Sequence, residues 1–221
     1  MSKKLAGYLL SGRWLRMVQA RTEGEGKLMK EIPILFSTPM VQAILAGNKT
    51  MTRRVIKPQP PAGKYGGVNI YNQHIIYPDD DSFYDAKYGL YKCPYGQPGD
   101  KLWVQETFRE SFKHAATQWE YRVDTPRETD AQTPFNWSHS IHMPKSAARI
   151  WLEVVSVRVE RLQDITYDDC LREGMWDFGT DVDTLAAFQE LWQNLNAKRG
   201  FGWDINSWVW VVSFKRLEVA A

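Results

Sequence analysis

The chain has 221 residues, enough for one large domain or a small domain carrying insertions. Hydrophobic residues make up 43% and aromatics 13%, which suffices for a packed core, while no run of 18 apolar residues is present to span a membrane as a helix. The only two cysteines, Cys93 and Cys170, lie far apart and without metal-ligand spacing, which speaks against a disulfide framework or a cysteine-rich metal centre.

The net charge of +2 becomes informative when divided along the chain. Residues 1–30 hold seven Lys/Arg and two Glu, leaving a net −3 for the remainder. They read as a basic, weakly patterned extension ahead of a single domain over residues 31–221. The apolar stretch at residues 5–10 is short and runs into Ser11-Gly-Arg-Trp14 rather than a small-residue cleavage site, so no signal peptide is expected. A reducing cytoplasm is the expected compartment. Inside the domain, no acid occurs between Ile32 and Pro78, where Lys49, Arg53, Arg54, Lys57 and Lys64 fall. Such local positive potential suits a phosphate-bearing partner, and a merely solvated loop is the competing reading.

In chain order, residues 32–37 read as a short apolar strand. Pro39 suits the first turn of a helix whose apolar residues Met40, Val41, Ile44 and Leu45 recur at helical spacing, and Gly47 stops it. Residues 48–57 then read as a polar, basic loop running into a strand near Val55. Residues 62–94, rich in Gly, Tyr and Asp, read as an insertion with little regular structure. Gln97-Pro-Gly-Asp100 is a turn signal, with a strand after it at residues 102–108 and another at 118–123. A second insertion falls near residues 124–140. Residues 149–161 alternate strongly and predict a strand. Thr166-x-x-Asp169 resembles a capping box opening a short helix that ends at Gly174. A longer helix over residues 183–196 presents Leu185, Phe188, Leu191, Trp192 and Leu195, and a last strand covers residues 208–217. Several strands, few short helices and no βαβ alternation predict an α+β fold with a small barrel.

The segment Gly47-Asn-Lys-Thr-Met-Thr-Arg-Arg54 resembles the signature of ASCH domains, a branch of the PUA-like superfamily, whose pattern is Gly-x-Lys-x-x-Glu-x-Arg after the first helix. Gly47, Lys49 and Arg54 match; Thr52 stands where the family usually has Glu, as it does in the family's N4-acetylcytidine amidohydrolases. Further blocks are similar to a phage and prophage subgroup, among them Gly99-Asp-Lys-Leu-Trp-Val-Gln-Glu-Thr107, His142-Met-Pro144, Arg158-Val-Glu-Arg-Leu-Gln-Asp164 and Trp208-Val-Trp-Val211. The resemblance implies a small PUA-like (ASCH) β-barrel with flanking short helices and loop insertions. Its implied partner is RNA or a modified nucleoside, with DNA or a phage component as alternatives.

On the amidohydrolase pattern, Thr52 is the nucleophile, Lys49 its base and Glu173 the acid. The chemistry is coherent, because a threonine hydroxyl needs a base and a lysine serves as one only when desolvation or a nearby cation lowers its pKa. The other readings stay open: a ribonuclease, or a binding module in which Lys49, Arg53, Arg54 and Lys57 hold phosphates. Glu106 is a supporting candidate that would orient Lys49 or Arg54, or else an ordinary salt-bridge partner. Trp203, in a loop, is the better base-stacking candidate; Trp208 and Trp210 read mainly as core. His139 and His142 lack acidic or cysteine companions, so no metal site and no cofactor are expected.

Overall fold

Two long apolar-rich runs build the centre of the fold, one alternating and one almost continuously apolar over its first half. The computed structural model describes residues 28–59, 69–71, 74–76, 91–111, 118–125, 136–176 and 179–218. Strand β9 (Trp151–Arg161) and strand β10 (Trp208–Leu217) pair antiparallel along nearly their whole lengths, with a bulge between Ser213 and Phe214. On one side β10 pairs antiparallel with β2 (Met51–Val55); on the other β9 pairs with β6 (Lys101–Gln105), which takes β1 (Glu31–Leu35) in parallel. The order β1-β6-β9-β10-β2 makes an open five-stranded sheet with β1 and β2 at its edges. Among the described residues no strand pairing closes it into the expected barrel. A side chain links the edges instead: Arg54 Nη2 donates to the Leu35 carbonyl at 2.6 Å.

Side chains alternate across the sheet, so each face carries its own core. Helix α1 (Thr38–Leu45) packs Val41 and Ile44 on one face, against Val104, Leu152, Trp210 and Val212. Helix α2 (Tyr167–Arg172) and helix α3 (Asp181–Asn196) cover the other, where Cys170, Phe188 and Trp192 meet Met51, Val209 and Val211. Both helix starts are capped by threonine: Thr166 accepts from the Asp169 N–H at 3.2 Å and Thr180 from the Asp183 N–H at 3.1 Å. The fold is α+β, with no helix among the described residues long and apolar enough to cross a membrane.

Two sequence expectations need correction. The basic segment after α1 is mostly strand, with Met51, Thr52 and Arg53 all buried. Its polarity reflects buried ion pairing rather than solvent exposure. The insertion at residues 62–94 contains β3 (Asn69–Tyr71), β4 (His74–Ile76) and β5 (Tyr91–Lys92), a three-stranded sheet whose members are too short to show alternation. Strands β7 (Phe108–Glu110) and β8 (Trp119–Tyr121) form a separate antiparallel pair. The extension at residues 1–27 and part of the second insertion, residues 126–135, lie outside the described residues.

Candidate functional site

The end of α1 aims Lys49. Gly47, at φ 81°, takes the left-handed conformation past the helix, and the Asn48 and Lys49 N–H groups both return to the Ala43 carbonyl. The end of α2 meets it: the Thr50 N–H donates to the Arg172 carbonyl at 2.8 Å, and Lys49 and Glu173 form an isolated antiparallel bridge. Gly174 (φ 85°) makes this approach possible, since a Cβ there would stand 2.8 Å from Ala43 Cβ and 3.0 Å from Lys49 Cβ. Replacing Gly174 with alanine should therefore cost at least about 2 kcal/mol in a denaturant titration, from left-handed strain and overpacking together. An unchanged midpoint would contradict this docking.

The two backbone turns bring Lys49 Nζ to 2.8 Å from Glu173 Oε2 and 2.7 Å from the Glu173 carbonyl, with the lysine side chain wholly buried. Burial disfavours the ammonium, and Arg54 and Arg53 add like-charge repulsion. Despite Glu173, the Lys49 pKa is held below the ordinary lysine value.

Consecutive arginines on β2 go to opposite faces of the sheet. Arg53 shares its face with Val211 and is fully enclosed by acids. Its Nη2 pairs with Glu160 and Asp169, and its Nη1 lies 3.5 Å from Glu173 Oε1. Arg158 braces the same two acids from the partly exposed side. Burial works against the Arg53 charge, but Glu173, Glu160 and Asp169 together raise its pKa above the ordinary value. Its guanidinium is thus engaged by protein carboxylates rather than open to a nucleic-acid phosphate.

Thr52 and Arg54 project from the opposite face. Thr52 is 2% exposed, borders a cavity of about 890 Å³, and makes no hydrogen bond through its hydroxyl to any described residue. The Arg54 guanidinium carbon lies 5.2 Å from the Phe36 ring centre and 5.8 Å from that of Tyr95, and its Nε is buried without an acceptor among the described residues. Phe36, Tyr95, Trp210 and Glu173 complete the inner wall. Even-numbered residues of β2 bond to β10, as in the Ile56 N–H to Trp208 carbonyl and the Phe214 N–H to Thr50 carbonyl. The backbone groups of Arg53 and Val55 therefore point off the edge that no described strand pairs, and both residues line the cavity.

The remaining sequence candidates divide. Lys57 borders the cavity, with its Nζ 5.0 Å from the Phe201 ring centre. Glu106 is buried but takes a two-pronged contact from Arg149, at 2.9 and 3.0 Å, and touches neither Lys49 nor Arg54. Trp203 packs edge-on against Phe188 in the second core, outside the cavity wall. Sequence reasoning missed Phe36 and Arg199 as cavity residues and Glu160 and Asp169 as anchors of Arg53. The capping pattern located Asp169 but carried no signal of its side chain's partner.

The sequence matches no family model, and no curated protein matches it significantly. Among solved structures, the chain is similar to protein EF3133 from Enterococcus faecalis, described as family-model DUF984, with a TM-score of 0.40 and 8% identity over 95% of this chain and 93% of that one.

Proposed function

We propose that this is an ASCH-type protein whose cavity binds a nucleobase of RNA or a modified nucleoside and hydrolyses the amide of an N4-acylated cytosine. The observation that carries the reading is the conjunction of an unpartnered Thr52 hydroxyl on the cavity wall with a buried Lys49–Glu173 pair. The aromatic wall of Phe36, Tyr95 and Trp210 suits a planar base, and the unpaired β2 edge offers backbone donors and acceptors to its rim.

The chemistry follows from the proton inventory. A neutral Lys49 amine has two N–H bonds, both used on Glu173, so its lone pair is what remains to take the Thr52 proton. The two side chains share no hydrogen bond as they stand, and the step requires a side-chain rotation that brings them together. The Thr52 oxygen adds to the acyl carbonyl carbon, forming a tetrahedral intermediate. The proton passes from Lys49 to the Glu173 carboxylate 2.8 Å away and on to the exocyclic nitrogen as the C–N bond breaks. Cytosine leaves, the acyl group remains on Thr52, and water hydrolyses that ester with Lys49 again as base.

The test is incubation with N4-acetylcytidine followed by mass spectrometry, with cytidine and acetate as the expected products. Because neutral Lys49 is the active form, kcat/KM should rise with pH, along a limb whose midpoint lies below the ordinary lysine value of 10.5. No deacylation of any acylated cytidine, free or within RNA, would overturn the proposal.

A further inference from the structure

Three cations from separated parts of the chain line the same cavity: Arg54 on β2, Lys57 just beyond it, and Arg199 on the single turn Ala197–Arg199 that follows α3. None of the three forms a salt bridge with a carboxylate among the described residues. The one acid among the described residues of the cavity wall, Glu173, is already taken by Lys49 and Arg53. Arg54 has the second mark of an incomplete site. Its Nη2 is spent on the Leu35 carbonyl, while its buried Nε finds no acceptor among the described residues. Buried donors in folded proteins almost always find an acceptor. The charges also act on one another, since burial first and Arg199 with it lower the Arg54 pKa. Unneutralised cations converging on one concavity raise its affinity for an anion.

Resting on the base-binding reading above, we propose that the cavity selects the phosphorylated form of its ligand, with Arg54, Lys57 and Arg199 receiving a phosphate attached to the nucleoside. Arg54 carries the recognition: the Phe36 and Tyr95 rings and the Leu35 carbonyl hold its guanidinium, so little freedom is lost on binding. Lys57 and Arg199 are exposed and supply field more than geometry. Lys49 and Arg53, although basic and adjacent in sequence, take no part, because both are committed to carboxylates.

The test is calorimetric titration of the full chain with cytidine, cytidine 5′-monophosphate, inorganic phosphate and the trinucleotide CpCpC. The wild type should bind the monophosphate at least about tenfold tighter than cytidine, one charge-assisted contact being worth about 1.5–3 kcal/mol. Arg199→Gln and Lys57→Gln, both at exposed positions, should each reduce that ratio and together reduce it further, while Arg54→Gln should abolish it. Stronger binding of CpCpC than of the monophosphate, with a steeper salt dependence, assigns the phosphate to an RNA backbone; the reverse order assigns it to a free nucleotide. Equal affinity for cytidine and its monophosphate in the wild type overturns the inference, as does a preference that the double substitution leaves undiminished. The readouts are separable. Deacylation of N4-acetylcytidine without phosphate preference sinks only this inference, and phosphate preference without any deacylation sinks only the hydrolytic reading.

Discussion

Thr52→Val should leave the protein folded with an undiminished melting temperature and lower its deacylation rate by at least about 10³-fold, the loss expected when a nucleophile is removed. The two halves of this expectation come from one fact. The Thr52 hydroxyl is 2% exposed as part of its residue and donates to no described partner, so the fold gains no hydrogen bond from it. The hydroxyl borders the cavity and is not among the fully enclosed atoms that lack a partner, so a methyl in its position strands no buried group and should be nearly neutral for stability. A structural threonine would behave the opposite way, losing stability while leaving turnover alone. Thr52→Ser, which retains an oxygen on Cβ, should recover part of the rate, and acyl-enzyme should accumulate at this residue in rapid-quench mass spectrometry. Wild-type turnover in the valine variant would remove Thr52 from the mechanism and leave the cavity as a binding site.

How much of this site could be read beforehand depended on whether hydrophobic pattern or ion pairing determined burial. Strand β10 was legible because Trp208-Val-Trp-Val-Val212 is an unbroken apolar run of strand-forming residues, and helix α2 because Thr166 and Asp169 mark its first turn. Strand β2 was not legible. Met-Thr-Arg-Arg-Val looks solvated by any hydrophobic measure, and it is buried only because Glu160, Asp169 and Glu173, more than a hundred residues away, neutralise Arg53. The same gap explains the grouping of Arg53 with Arg54 as equivalent phosphate ligands. On a loop they would be interchangeable, but on a strand the two-residue period sends one into an acidic cage and the other towards the cavity. The meeting of Lys49 with Glu173 spans 124 residues and leaves no local trace; the family resemblance suggested it, and periodicity could not. Glu106 is the instructive opposite case. A carboxylate on a strand near a basic segment invited pairing with Lys49 or Arg54, yet the guanidinium of Arg149 claims it by two-pronged geometry that an ammonium cannot match.

The largest loss of stability should follow from Arg53→Met, about 3–5 kcal/mol in a denaturant titration at neutral pH. Methionine fills much of the arginine's volume beside Met51, so the cost arises from charge rather than from a void. Without the guanidinium, Glu173, Asp169 and Glu160 share one largely enclosed region with only Lys49 and the partly exposed Arg158 to balance them. The sign of the pH dependence follows from Asp169. Burial alone would raise its pKa, but Arg53 and Arg158 hold it below the ordinary 3.8, so in the wild type its contribution is full above that value and is lost as pH falls through the lowered one. In the variant Asp169 loses Arg53, the largest influence lowering its pKa, while burial still raises it, so acid should relieve the repulsion. The stability gap between wild type and Arg53→Met should therefore narrow as pH drops from 7 towards about 4. Arg53→Lys should fall between the two, since one ammonium cannot engage three carboxylates in the directions a planar guanidinium can. Activity supplies the second readout. Arg53 touches Glu173 Oε1 while Lys49 holds Oε2, so Arg53 orients the carboxylate without meeting the substrate. Arg53→Lys should accordingly lower kcat more than it raises KM and displace the pH limb assigned to Lys49. If the lysine variant lost stability but kept the wild-type pH profile, Arg53 would be a brace for the sheet alone.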